Sequence, residues 1–160
     1  MAMNHVILPV LIPLFASALL FLLRKDPKWS YRLATLTSVG LVWASVSLLG
    51  KLYELTQLGP ITLQLGGWDA PFGISFVADS LSVLLVLTSS IVGLCCILQA
   101  RYDLHESEIH RGAYALIFLL ITGVNGAFLT GDVFNLYVWF EVMLIASFCL
   151  LIIGRKVEQT

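Results

Sequence analysis

The sequence has very little charge for its length. Only 12% of its 160 residues are Asp, Glu, Lys or Arg, whereas 59% are hydrophobic. A soluble domain has about a quarter charged residues and about half apolar ones, so the composition excludes a soluble fold and predicts an integral membrane protein. The nine Lys and Arg residues form no patch beyond one short loop, which gives no support for nucleic-acid binding.

Cysteine is also scarce. Cys95, Cys96 and Cys149 all lie in apolar stretches, and an odd number of cysteines inside predicted helices is not a disulfide framework. We expect them to be buried as small hydrophobic side chains. The segment HESEIH, residues 105–110, has histidines at i and i+5, whereas a zinc-protease helix needs i and i+4. It is predicted to be a solvated loop, and no metal or cofactor is expected.

Five apolar stretches are long enough to cross a bilayer, which takes about 20 residues. They run over residues 4–23, 33–55, 80–100, 112–131 and 133–154. Backbone groups in lipid must be hydrogen-bonded within their own segment, so these stretches are predicted to be helices. Pro9 and Pro13 indicate a kinked or irregular first helix.

Residues 58–79, LGPITLQLGGWDAPFGISFVAD, are too polar and too rich in Gly and Pro to cross a membrane. ITLQL alternates apolar and polar residues, GISF begins to repeat that pattern, and GGWDAPFG lies between them. This predicts a β-hairpin with a long turn on the outer face, between helices two and three. The predicted fold is an all-α integral membrane protein with five transmembrane helices and this hairpin. Residues 1–111 then form three N-terminal helices.

Basic residues alternate along the predicted connections. They follow the first, third and fifth spans and are absent after the second and fourth; they are Arg24, Lys25, Lys28, Arg32, Arg101, Arg111, Arg155 and Lys156. Connections rich in Lys and Arg stay on the cytoplasmic side. We therefore expect a protein of the bacterial cytoplasmic membrane with its N-terminus outside and residues 155–160 in the cytoplasm.

Glu141 is the only charged residue from Val133 to Gly154. If Asp132 begins the helix at the outer surface, Glu141 lies about 13.5 Å along the axis, close to the middle of a roughly 30 Å hydrocarbon core. Tyr137, four residues earlier, lies on the same helical face and could donate a hydrogen bond. An ionisable residue at this depth indicates a proton- or ion-handling role, with a structural carboxylate as the alternative.

No basic residue of the chain is placed to pair with Glu141. All nine Lys and Arg residues lie in loops or at the ends of spans. Either Glu141 is protonated much of the time, or its cationic partner lies outside these 160 residues.

Three other polar residues are candidate supporting residues. Asp132 and Asp79 each precede a predicted helix and are expected to be N-caps, since a carboxylate accepts from free backbone N–H groups; for Asp79, cation collection at the helix mouth competes with that role. Asn125 lies inside the fourth span, between Gly123 and Ala127. Close helix packing with an interhelical hydrogen bond is expected there, with direct ion contact as the alternative.

The run GDVFNLYVWFEVMLIASF, residues 131–148, closely resembles the fifth-helix signature of the D subunits of Mrp-type multisubunit sodium/proton antiporters. FVADSLSVLL, residues 76–85, and the hairpin before it resemble the third-helix region of the same family. The wider family includes antiporter-like subunits of respiratory complex I and of membrane-bound hydrogenases. The resemblance implies that Glu141 is a proton-channel carboxylate coupled to a lysine on a later helix. Tyr137 is a candidate supporting residue because of its position one turn before Glu141.

Family members are much longer and contain two inverted five-helix repeats. By this resemblance, residues 112–154 are the first two helices of a proton-channel repeat, and the chain is expected to be truncated. The implied function is not enzymatic: a proton-translocating subunit that exchanges Na⁺ for H⁺ in a complex with other antiporter subunits. The alternatives are a proton-pumping subunit of an NADH–quinone oxidoreductase or membrane-bound hydrogenase, and a purely structural membrane subunit.

Overall fold

The chain forms six helices and two strands within the part that the structure describes. The computed structural model describes residues 3–55, 59–66 and 73–154. In chain order the elements are α1 (Met3–Leu22), α2 (Pro27–Leu55), β1 (Ile61–Leu65), β2 (Ile74–Ala78), α3 (Ser80–Asp103), α4 (Glu106–His110), α5 (Ala113–Leu129) and α6 (Val133–Gly154). Most of the predicted hairpin turn, residues 67–72, and the predicted cytoplasmic end, residues 155–160, lie outside the described residues.

Four of these helices, α1, α2, α3 and α6, are long and apolar enough to cross a membrane. The fourth predicted span is α5, an apolar helix of 17 residues. At 1.5 Å per residue it extends about 26 Å, slightly less than a hydrocarbon core of about 30 Å. The described chain is thus a mainly helical membrane protein with four candidate spanning helices and a small two-stranded sheet.

The second helix begins earlier than predicted, and the first contains two prolines. α1 is continuous from Met3 to Leu22 through Pro9 and Pro13. α2 begins at Pro27 rather than at residue 33. Proline is favoured in the first helical turn because the N–H it lacks has no partner there in any case. The Ser30 N–H donates to the Asp26 carbonyl at 2.9 Å, which continues the helix through the basic segment.

The two strands that the alternating pattern predicted are present. β1 and β2 pair antiparallel, with Ile61 opposite Ala78 and Leu65 opposite Ile74. Along β1, Ile61 and Leu63 are buried while Thr62 is exposed, as period-two alternation requires. The buried side of the sheet joins a hydrophobic cluster with one end of α1 and α2.

The prediction of a loop at HESEIH is wrong, because residues Glu106–His110 form α4. The His105 backbone N–H donates to the Glu108 carboxylate at 2.8 Å, which closes the first turn. Ile109 is 8% exposed and packs into the cluster at this end of the bundle. One buried side chain and one carboxylate cap together stabilise a helix too short to persist alone.

The cysteines also differ from expectation. All three are free; Cys95 and Cys96 are exposed and Cys149 is half-buried. The expected burial is therefore wrong for Cys95 and Cys96. Lipid tails are as apolar as a helix interface, so an apolar side chain in a membrane protein has no strong preference for the inside.

α5 is the central helix of the described bundle, in contact with α1, α3 and α6. Its close approach to α6 depends on two glycines. A Cβ at Gly126 would overlap Cδ2 of Trp139, and one at Gly123 would lie 2.6 Å from Cγ of Met143. Close packing was predicted for Gly123 and Ala127. Gly123 takes part, and so does Gly126, which the sequence did not single out.

Candidate functional site

Asp132 caps α6 and also connects it to the hairpin. Its Oδ1 accepts from the Asn135 N–H at 2.6 Å, and its Oδ2 accepts a long hydrogen bond from the Ser75 N–H at 3.4 Å. The Gly131 N–H donates to the Ser75 carbonyl at 2.8 Å. The predicted N-cap is therefore present, and the turn between α5 and α6 is bonded to β2.

Asp79 has the contacts of a helix cap at the start of α3. Its Oδ1 accepts from the Ser82 N–H at 2.7 Å, and its own N–H donates to the Ser82 hydroxyl at 2.9 Å. The backbone and side-chain hydrogen bonds with Ser82 hold the pKa of the exposed Asp79 carboxyl below its ordinary value. Both contacts belong to α3 itself, and no other candidate residue takes part in them.

Glu141 lies on the face of α6 that points away from α5. Trp139 and Met143 face α5, and at about 100° per residue Glu141 is rotated about 200° from Trp139. The half-buried Glu141 side chain interacts with Tyr137 along this outward face. Tyr137 is 62% exposed and Phe148, on the same face, is 59% exposed. The outward face of α6 is defined here by Tyr137, Glu141 and Phe148.

α6 is the least covered of the spanning helices. Only 6% of its candidate span is buried by the described residues, against 39% of the α1 span. α6 contains no Lys or Arg, and no described basic side chain forms an ion pair with Glu141. Arg111 donates to the Ile153 carbonyl at 3.5 Å, which places it at the far end of the helix, about 18 Å along the axis from Glu141.

Asn125 satisfies a backbone carbonyl that a proline leaves unpaired. In a regular helix the Pro9 carbonyl would accept from the N–H of residue 13, but Pro13 has none. The Asn125 side chain is fully buried, and its Nδ2 donates to the Pro9 carbonyl at 2.9 Å. The predicted interhelical hydrogen bond therefore exists and joins α5 to α1. Two prolines four residues apart, opposite a buried amide, were the available sequence signal for this pairing.

Two buried polar atoms next to this contact have no partner among the described residues: Oδ1 of Asn125 and Nε1 of Trp139. Trp139 lies against Gly126, one residue after Asn125. The described residues contain no cluster of three His, Cys, Asp or Glu side chains that could hold a metal ion. The five candidate residues therefore form separate contacts: Glu141 with Tyr137, Asp132 with the hairpin, Asp79 within α3, and Asn125 with α1.

No protein-family profile matches the chain, but individual relatives do. It is 42% identical over 156 residues to the D subunit of the Na(+)/H(+) antiporter of Alkalihalophilus pseudofirmus, covering 98% of this chain and 31% of that protein. It is 41% identical over 152 residues to the antiporter subunit of the same name in Bacillus subtilis, covering 94% of this chain and 30% of that protein. The chain thus spans about three tenths of the length of these relatives.

Two solved structures are similar in fold. The Mrp complex from Dietzia sp. DQ12-45-1b matches with a TM-score of 0.78 and 26% identity, over 91% of this chain and 27% of the matched chain. An archaeal respiratory membrane complex, the membrane-bound sulfane sulfur reductase, matches with a TM-score of 0.86 and 22% identity, over 94% of this chain and 31% of the matched one.

The long apolar helices, the two-stranded sheet and the capped α5–α6 pair define a helical membrane-protein fold, similar to that of chains in two multisubunit membrane complexes. Over the segment that it spans, the chain is similar to the D subunits of Na(+)/H(+) antiporters. The relatives' names describe a transporter subunit rather than a catalytic enzyme.

The Asn125 contact predicts a specific coupling with Pro13. Asn125→Leu leaves the buried Pro9 carbonyl unpaired, which costs about 1–3 kcal/mol of unfolding free energy. In a Pro13→Ala background, the N–H of residue 13 can bond to that carbonyl, so the same change costs much less. The measurement is a double-mutant cycle of unfolding in mixed detergent micelles. Equal costs in both backgrounds would show that Asn125 does not act through the proline carbonyl.

Proposed function

We propose that this chain is part of the proton-translocating D subunit of a multisubunit antiporter that exchanges Na⁺ for H⁺ across the cytoplasmic membrane. The observation that carries the proposal is Glu141, a lone carboxylate well inside a spanning helix, on a face that the described chain leaves open. Ionisable residues inside spanning segments are costly and mark proton and ion pathways. The names of the relatives, sodium/proton antiporter subunits, support the same function.

In the proposed mechanism, Glu141 alternately binds and releases one proton. A cationic side chain brought near the carboxylate favours the ionised form, and its withdrawal favours the protonated form. Because no described basic residue pairs with Glu141, this cation comes from a segment or subunit outside the described residues. Tyr137 is proposed to orient the carboxylate through their interaction. Movement of the partner cation then couples proton transfer to ion movement elsewhere in the complex.

Asp132, Asp79 and Asn125 have supporting roles in this proposal. Asp132 fixes the start of α6, and with it the depth of Glu141, through its cap and its bond to the hairpin. Asn125 fixes α5, against which α6 packs. Asp79 fixes the start of α3. None of the three is assigned direct contact with the transported ion.

A second candidate function is proton pumping in a redox-driven membrane complex. The fold similarity to the membrane-bound sulfane sulfur reductase favours it, since helices of this kind also occur in a respiratory complex. Purification of the native assembly distinguishes the two functions. Redox-cofactor proteins in stoichiometric amounts support the second, and their absence from an active exchanger supports the first.

We further propose that all five apolar helices span the membrane, with the N-terminus and the hairpin outside. α5 is somewhat short, but it packs between α1, α3 and α6 and is joined to α6 by a tight turn. The basic residues of the α1–α2 connection and those flanking α4 line clefts at one end of the bundle, opposite the hairpin. Under the positive-inside rule that end is cytoplasmic.

Cysteine labelling tests this orientation. With the native cysteines replaced, Thr62→Cys in the hairpin is expected to react with an impermeant maleimide added outside intact cells. Ser107→Cys in α4 is expected to react only after the membrane is opened. Both positions are exposed, so a difference in labelling between them reports the side of the membrane on which each lies. The reverse labelling pattern would contradict the proposed orientation.

Replacement of Glu141 tests the central role. Glu141→Gln preserves size and hydrogen bonding but cannot titrate, so we expect normal assembly and loss of cation/proton exchange to background. Glu141→Asp keeps the acid but withdraws it by one methylene, and partial exchange is expected. Exchange is measured in membrane vesicles, with the amount of each subunit checked by immunoblot.

Glu54→Gln is the matched control, because it removes an exposed carboxylate near the end of α2. It is expected to leave exchange unchanged. If the Glu141→Gln complex assembles and exchanges at the parental rate, Glu141 is a structural residue and the proposed mechanism is wrong.

A further inference from the structure

A cleft of about 700 Å³ opens at the end of the bundle opposite the hairpin. It lies between the first turns of α2, the end of α3, α4 and the start of α5. The charged side chains that line it are Lys28, Arg32, Arg101 and Glu106. Tyr31 and the buried Tyr114 supply aromatic walls, with ring centroids 6.5 Å apart.

The cleft carries an excess of positive charge that the described residues do not neutralise. Three cationic side chains face one carboxylate, and none of the three forms an ion pair with a described carboxylate. The Arg101 guanidinium carbon lies 4.9 Å from the Tyr31 ring centroid, and that of Arg32 lies 5.5 Å from the Trp29 ring. Stacking on a ring fixes a guanidinium while its N–H groups stay available to an anion.

An exposed apolar stripe leads from this cleft along α2. Leu36, Val39 and Trp43 follow Arg32 at i+4, i+7 and i+11, which places all four on one side of the helix. The three apolar side chains are 71%, 52% and 69% exposed. The stripe extends about 16 Å from Arg32 towards the middle of the candidate span.

We propose that the cleft binds the phosphate headgroup of an anionic phospholipid, with an acyl chain along the Leu36–Val39–Trp43 stripe. Arginine guanidinium groups bind phosphate oxygens through paired N–H donors, and basic pockets between spanning helices on the cytoplasmic side suit anionic headgroups. A free phosphate ion would use the charged cleft but gain nothing from the stripe. This site is separate from Glu141 and does not depend on the proposed exchange activity, but it rests on the proposed orientation, which places this end of the bundle in the cytoplasm.

The test is lipid binding to the full chain in detergent, measured by native mass spectrometry. The probes are phosphatidylglycerol, phosphatidylcholine with the same acyl chains, and inorganic phosphate. Phosphatidylglycerol is expected to bind more tightly than phosphatidylcholine. The double variant Arg32→Gln/Arg101→Gln is expected to weaken phosphatidylglycerol binding by about 10- to 30-fold. Arg32→Lys/Arg101→Lys keeps the charge and is expected to keep most of the binding.

A matched control removes two positive charges from the same end of the bundle. Arg24 and Lys25 line a different cleft, with His110 and Arg111, so Arg24→Gln/Lys25→Gln is expected to leave phosphatidylglycerol binding nearly unchanged. Helical content by circular dichroism identifies any variant that fails to fold. If the Arg32→Gln/Arg101→Gln variant fails to fold, the binding measured for Arg32→Lys/Arg101→Lys tests the proposal in its place. Equal weakening in both glutamine pairs, no preference over phosphatidylcholine, or displacement of the lipid by equimolar inorganic phosphate would each overturn the proposal.

Discussion

The close contact between α5 and α6 determines where the candidate site residues can lie. Gly126 lies under the Trp139 ring and Gly123 lies against Met143. These two contacts fix the rotation of α6 about its own axis relative to α5. That rotation turns Glu141 about 200° away from Trp139. A side chain at either glycine would separate the helices or rotate α6, so the open position of Glu141 is a consequence of packing elsewhere on its helix.

The same bundle must also satisfy backbone groups that water cannot reach. Pro13 removes a donor from α1, and Asn125 replaces it with a side-chain amide from the central helix. At the hairpin end, Ser75 of β2 bonds to Gly131 and Asp132 in the turn that joins α5 to α6. α5 and α6 are therefore fixed at separate points by α1 and the hairpin. The depth of Glu141 follows from these contacts, because a cap at Asp132 sets the first residue of α6.

Much of this arrangement was accessible from sequence. Long apolar runs predicted the helices because lipid leaves the backbone no other partner, and period-two alternation predicted β1. The cap at Asp132 followed from a carboxylate directly before an apolar run. The exception, α4, is a helix because Ile109 reaches a buried cluster formed by distant segments, a contact that no local pattern encodes.

Helix rotation and choice of partner could not be predicted in the same way. α6 is apolar all round, so its composition does not distinguish the side facing α5 from the side facing away. α3 and α5 are likewise apolar over most of their surface, so the sequence did not single out Gly126 and placed Cys95 and Cys96 inside. Pro9 and Pro13 mark a carbonyl of α1 that lacks its helical donor, but the pairing with Asn125 joins residues 116 positions apart, so no local signal identifies the partner.

The central claim, which rests on the proposed function, is that the outward face of α6, with Tyr137, Glu141 and Phe148, meets protein outside the described residues in the assembled complex. Site-specific photo-cross-linking tests it most directly, with benzoylphenylalanine in place of Phe148 and, as control, in place of the exposed Trp43 on α2. The account predicts that the probe at 148 cross-links to a polypeptide segment beyond residue 154 or to another subunit. Attachment at 148 only to lipid, or only to helices within residues 3–154, would contradict it.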